Sequence, residues 1–330
     1  MQKKERLVIV DILTLMATIL VVMGHHKFMR DSYSWYPVYD KIIYSFHMGF
    51  FMTISGFLVK YTFPSDCQWG KYVVKKVKKF VPAYLAVGLF AALVSFKSFS
   101  GFANDILMLL VNPTEGPIQI IWYIYVLLMY YCLAPLVFRL STKQRWWLLL
   151  ISVIPGIFYL YMPRYFSMLN FFRLLPFFLL GAQLADNLEK IQKLADWKIL
   201  LLGLPFGAFV ICCIVMGTNP LRGGVGKLIT SVLSLPMMYW LARQLMRSIK
   251  IANLSTAFSP YVYPVYLLQM FFINGIWQIW RRVGFVLTDA TAIVYLVSSV
   301  ALTIVGIVMV VKIYCWLSNM ILKRKHVPNE

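Results

Sequence analysis

A few ionisable side chains interrupt long apolar runs, and their types suit proton transfer and anion binding. The first run carries Asp11, Thr14, Thr18 and His25. On a helix advancing 100° per residue these four fall within about 60° of one another, and Asp11 and His25 lie roughly 21 Å apart along the axis. The result is one polar stripe ending in an imidazole. His26 points about 100° away, which leaves His25 as the candidate for chemistry. A histidine titrating near neutrality can take a proton from a hydroxyl. An interfacial histidine above threonines bonded to their own helix would produce the same stripe.

His47 lies at similar depth on the second run, FHMGFFMTISGFLVKY, so two imidazoles are placed to line one outer cavity. Without evident third and fourth ligands, no metal is expected. Arg173, in NFFRLLPFFLLG, either reaches back to the surface or presents a fixed cation to an anionic group inside the fold. Lys75, Lys76, Lys78 and Lys79 precede Pro82 in a short amphipathic stretch. Closely spaced ammonium groups there bind lipid headgroups as a topology signal, or dock a polyphosphorylated cytoplasmic ligand. No phosphate-binding glycine loop accompanies them. The five cysteines show neither metal-ligand nor disulfide-framework spacing.

The elements that must position these groups follow from composition. Of 330 residues, 61% are apolar and only 13% are charged. A soluble chain has about a quarter of its residues charged, so most of this surface faces lipid. Ten runs are long enough to cross a bilayer core about 30 Å thick: 7–28, 41–61, 80–97, 117–138, 146–163, 167–186, 199–218, 224–242, 259–280 and 290–312. With the N-terminus inside, the inner loops hold about twice as many lysines and arginines as the outer side, where Lys27 and Lys227 are counted, which predicts both termini in the cytoplasm. The excess of +20 is thereby a topological feature, and no nucleic-acid partner is expected. The expectation is an all-α polytopic membrane protein of about ten transmembrane helices in the cytoplasmic membrane. It is one domain over 1–330, closed by a short basic cytoplasmic tail at 323–330. No internal repeat is visible, which weakens an inverted-repeat transporter.

Several segments, in chain order, resemble the acyltransferase-3 family of integral membrane acyltransferases. The family opens with an Asp, an Arg three residues later and a His eleven beyond that. Asp11, Thr14 and His25 keep the spacing and lack the Arg. FHMGFFMTISGF is similar to the FFxxSGF signature through Phe50, Phe51, Ser55, Gly56 and Phe57, in the variant with a leading FH found in fucose 4-O-acetylase-like members. KKVKKFVPAY resembles the basic RxxRxxPxY segment, with Lys76 and Lys79 where arginines are usual and Pro82 and Tyr84 in place. IWYIYVLLMYYCLAPL looks like the tryptophan-led helix ending in Pro. RLLPFFLLGAQL resembles the RxxxFFxxG helix through Arg173, Phe177, Phe178 and Gly181. SPYVYPVYLLQ is similar to the serine-led YLxH segment, with Ser259, Tyr266 and Leu267 matching and Gln269 where His is usual.

The resemblance implies transfer of an acyl group, commonly acetyl, from cytoplasmic acyl-coenzyme A to a hydroxyl of a surface glycan or lipid-linked sugar. On that expectation His25 is the base and His47 shares its cavity. Arg173 or a helix N-terminus stabilises the developing oxyanion, and Asp11 begins the wall of a passage from the cytoplasm. Lys75, Lys76 and Lys79 hold the coenzyme A phosphates, and the outer loops 29–40 and 98–116 recognise the sugar. A transporter or flippase for an anionic glycan precursor, or an inactive relative, would also use buried polar groups. A transporter gives no reason for the lysine cluster beside Pro82.

Overall fold

The computed structural model describes residues 6–29, 33–64, 66–221, 223–284 and 288–324; residues 325–330 of the predicted tail lie outside them. Among the described residues there are thirteen α-helices and no strand. They are α1 (Val8–Gly24), α2 (Tyr36–Tyr61), α3 (Trp69–Val94), α4 (Phe99–Val111), α5 (Trp122–Val137), α6 (Thr142–Ile157), α7 (Met168–Asp186), α8 (Leu188–Gln192), α9 (Asp196–Met216), α10 (Gly223–Met246), α11 (Ile249–Phe258), α12 (Val262–Val283) and α13 (Asp289–Arg324). Each of the ten predicted spans falls on a helix. Among the described residues, seven helices are long and apolar enough to cross a membrane by length and composition; α1, at 17 residues, is a shorter apolar helix. The chain is an all-α polytopic membrane protein.

The centre of the bundle is the seam between α2 and α7, and two motif glycines make it. A Cβ on Gly56 would collide with the Phe178 carbonyl, and one on Gly181 with the Thr53 carbonyl and the Phe57 amide. Each helix lays its glycine against the other's backbone, the small-residue contact by which membrane helices approach when lipid gives them no hydrophobic reason to associate. Phe177 and Phe178 fill the space beside it, Phe178 stacking 4.6 Å from Tyr130 of α5. The glycines of both FFxxSGF and RxxxFFxxG therefore serve packing. α1 threads the middle, against α2, α10, α11, α12 and α13.

Acidic side chains near the predicted inner face tie helix ends together. Asp186 at the end of α7 pairs with Arg145 of α6 and, at 3.5 Å, with Lys60 of α2. Asp196 at the start of α9 pairs with Arg243 and Arg247 near the end of α10, at 2.9 and 2.6 Å. At the opposite face Asp289 accepts from the Ser34 hydroxyl at 2.5 Å and fastens the chain before α2 to α13.

Residues 98–116, expected as an outer loop, contain a helix. α4 turns back from the end of α3 and runs down beside it. The Tyr84 hydroxyl donates to the Leu109 carbonyl at 2.5 Å, and Gly88 faces the Leu109 side chain. Tyr84 lies ten residues before the end of α3, about 15 Å below it at the helical rise. The irregular stretch 112–121 thus sits at membrane depth, where backbone outside a helix persists only if protein covers it or it borders a polar cavity. Asn112, Ile118, Ile120 and Ile121 are buried, and the Tyr266 hydroxyl of α12 donates to the Ile120 carbonyl. α5 consequently starts deep, at Trp122.

Candidate active site

A cavity of about 980 Å³ opens in the predicted outer half of the bundle. Its wall combines the end of α1, α2, the end of α3, the deep 114–122 stretch, α7, α10 and α12. His25, His47 and Arg173 all line it, so three groups separated by up to 148 positions in the chain meet in one space.

His25 follows the last residue of α1. Its Nδ1 lies 3.1 Å from Oε1 of Gln269, with the Val21 carbonyl also near the ring. Gln269 is fully buried, and its Nε2 donates to the Tyr266 carbonyl at 3.0 Å. That second bond orients the amide, so Oε1 accepts from His25 and Nδ1 carries the proton. Nε2 is left with its lone pair and, among the described residues, without a hydrogen-bond partner. An imidazole held in one tautomer by a third group is an arrangement that can act as a base. Gln269, which the family pattern marks as a departure, is the residue that holds the imidazole. Its signal in the sequence was an uncharged amide on an apolar helix.

His26 is fully buried, with Nδ1 on the Val22 carbonyl at 3.0 Å and Nε2 2.9 Å from the Ser299 hydroxyl of α13. It fastens α1 to α13. His47 donates from Nδ1 to the Ile43 carbonyl at 2.7 Å and meets the Tyr44 ring edge-on at 4.9 Å. Tyr44 in turn donates to the Gly24 carbonyl at 2.7 Å, which sets the end of α1 against α2 and the two imidazoles within electrostatic reach of each other. Arg173 lies over the rings of Trp122 and Tyr159, at 5.3 and 5.5 Å.

Asp11 is not on this wall. Its carboxylate is 2.7 Å from Arg6 Nε and accepts from Thr256 of α11 at 3.3 Å, a latch at the other end of α1. Thr14 and Thr18 donate to the Val10 and Thr14 carbonyls of their own helix, at 2.7 and 2.8 Å. The stripe from Asp11 to His25 is thus satisfied by its own helix and by Arg6 and Thr256, and only its outer end reaches the cavity.

The lysines are also apart from the cavity. Lys75 and Lys79 are exposed, and Lys76 lies over the rings of Tyr131 and Tyr72, at 4.3 and 5.2 Å. Aromatic rings in two tiers separate them from His25. Phe80 stacks on Tyr131 at 5.5 Å and meets Tyr263 at 5.1 Å beside the lysines. About two turns outward along α5, Phe51, Tyr123 and Tyr266 form the second tier, Tyr123 lying 5.0 Å from Phe51 and 5.4 Å from Tyr266. The Ser55 and Tyr123 hydroxyls are bonded at 2.6 Å within it. The passage expected between histidine and lysines would have to run through these two tiers of rings. Sequence reasoning took the aromatic residues simply as apolar, and took Lys27 and Lys227, both on the cavity wall, as outer-loop charges.

A family model described as an acyltransferase domain, that of acyltransferase 3, matches residues 7–312. The chain belongs to this acyltransferase-3 family. The matched stretch takes in every group on the cavity wall as well as the lysine cluster. The nodulation protein NolL of Sinorhizobium fredii (strain NBRC 101917 / NGR234) is 26% identical over 204 residues, covering 59% of this chain and 53% of that protein. The chain therefore spans about half the length of that relative. No solved structure matches it.

Proposed function

We propose that the protein is an O-acyltransferase of the cytoplasmic membrane, moving an acyl group, acetyl in the simplest case, from cytoplasmic acyl-coenzyme A to a hydroxyl of an envelope glycan or lipid-linked sugar. One observation carries this reading: His25 is fixed by Gln269 with Nε2 unpartnered on the wall of a roomy cavity shared with His47 and Arg173. Family membership supports acyl transfer over simple transport of a glycan.

In this reading the acceptor enters from outside and its hydroxyl approaches His25. As the hydroxyl oxygen attacks the thioester carbonyl, Nε2 takes its proton. Gln269 holds the imidazolium through Nδ1–H, and the Arg173 guanidinium offsets the charge growing on the carbonyl oxygen. Collapse of the tetrahedral species breaks the carbon–sulfur bond, the ester leaves, and the proton on Nε2 returns to the coenzyme A sulfur. His47, held by its own helix, shapes the site beside His25. The donor's phosphates fit the exposed ammonium groups of Lys75 and Lys79 and that of Lys76, compact point charges at the cytoplasmic mouth. The acyl arm reaches the cavity by parting the aromatic tiers, whose only side-chain hydroxyl pair is Ser55 with Tyr123.

The test is transfer of labelled acetyl from acetyl-coenzyme A into envelope fractions of cells with and without the protein. Base-labile label that appears only with the protein is the expected result. Equal labelling in both strains would remove the acyltransferase reading.

A further inference from the structure

Two sets of cations differ in what they lie against. Arg6, Lys60, Arg145, Arg243 and Arg247 each lie against a carboxylate. Lys27, Arg173 and Lys227 line the cavity, and among the described residues none of the three has a carboxylate partner and no Asp or Glu lies on the wall. Rings and a hydroxyl hold them instead. Lys27 Nζ lies 5.3 Å from the Tyr44 ring centre. Lys227 donates to the Tyr159 hydroxyl at 3.2 Å and lies 5.6 Å from the centre of that ring. Arg173 shares Tyr159 with it, and the buried Nε of Arg173 has no hydrogen-bond acceptor.

An aromatic face orients a cation without neutralising it. Charges such as those of Arg173 and Lys227, without a carboxylate inside a membrane-embedded fold, oppose its assembly, and such groups mark the path of a charged ligand. They also surround the two imidazoles: Lys27 acts electrostatically on His25, and Arg173 and Lys227 on His47. Carboxamides of Gln119, Asn170 and Gln278 complete a wall suited to a sugar.

Resting on the acyltransferase reading, we propose that these cations are an anion subsite for the acceptor, which is a sugar bearing a phosphate or carboxylate near the acylated hydroxyl. Lys27 and Lys227 take the anion, and Arg173 lies between it and the reacting carbonyl. The donor's phosphates belong to the other end of the molecule, beyond the two aromatic tiers.

The experiment titrates the full chain, in nanodiscs of zwitterionic lipid, with D-glucuronate, D-glucose 1-phosphate, D-glucose and coenzyme A. Saturable binding of one or both charged sugars, much tighter than that of glucose, is expected; which one binds tells carboxylate from phosphate. Lys227→Gln should weaken that binding by about tenfold, the equivalent of one hydrogen bond to a charged group, and leave coenzyme A binding intact. Lys227→Arg should retain it, and Lys27→Gln gives an independent loss at an exposed position. Equal binding of glucose and the charged sugars, or unchanged binding in both Gln variants, overturns the proposal. So does loss of coenzyme A binding in Lys227→Gln, which would assign the cations to the donor. Acetyl transfer measured on the same preparation separates the two readings: charged sugars bound without transfer would sink the acyltransferase and spare the anion subsite, and transfer without anion selectivity would do the reverse.

Discussion

The two ends of α3 carry opposite solutions to the same problem. At the inner end its lysines stand in solvent, with Lys76 laid over Tyr131 and Tyr72. At the outer end Ala91, Val94 and Ser95 border a cavity that contains cations on aromatic supports. Exposed ammonium groups need no fixed partner, are screened by salt and bind polyanions as a mobile cluster. Arg173 and Lys227, partly enclosed and held by rings, are positioned and less open to screening. The contrast teaches that a positive balance in a membrane protein is not one signal. Part of it stands in solvent at the inner end, part ties helices through Asp186 and Asp196, and a third part lines the cavity.

The sharpest way to break the comparison is at the outer end. Gln269→Leu should lower the maximal rate of acetyl transfer by about a hundredfold with little change in the KM for acetyl-coenzyme A, because only the orientation of His25 is lost. Gln269→His, which can accept at Nε2 as the amide oxygen does, should recover much of it. An equal fall in rate for both variants, or a change confined to KM, would return Gln269 to a packing role.

The seam on which both regions hang comes next. Gly56→Ala should destabilise the protein by about 2 kcal/mol, since the added methyl meets the Phe178 carbonyl rather than a side chain that can move. Gly70→Ala, with open space around it, should leave the melting temperature unchanged. Similar melting of the two variants would show that α2 and α7 can part without cost.

The smallest effect belongs to the inner end. Lys76→Glu combined with Lys79→Glu should weaken coenzyme A binding by about tenfold at low salt, and the difference from the native protein should shrink as salt rises. Unchanged binding would leave these lysines as a topology signal alone.

Much of the fold was legible because about 20 apolar residues suffice to cross a bilayer and charge ends such a run. α4 was not, since 13 residues broken by Gly101 and Asp105 are too short for a span and read as a loop. His25, His47 and Arg173 were legible because an ionisable group in an apolar helix needs a reason. Asp11 misled for the same reason: helical spacing aligned it with His25, and only its contact with Arg6 shows that its charge is met at the far end. Lys27 and Lys227 looked like loop charges because local sequence does not reveal which way a helix end faces. The aromatic tiers were hidden in plain composition, where a Tyr packed in the interior and a Phe that meets lipid look alike.

The most direct measurement compares native protein and His25→Ala, purified in nanodiscs, for transfer of labelled acetyl from acetyl-coenzyme A to acceptor-containing envelope extract. The account predicts loss of transfer by at least about a thousandfold, with the melting temperature and coenzyme A binding retained. Native-level transfer by His25→Ala would contradict it.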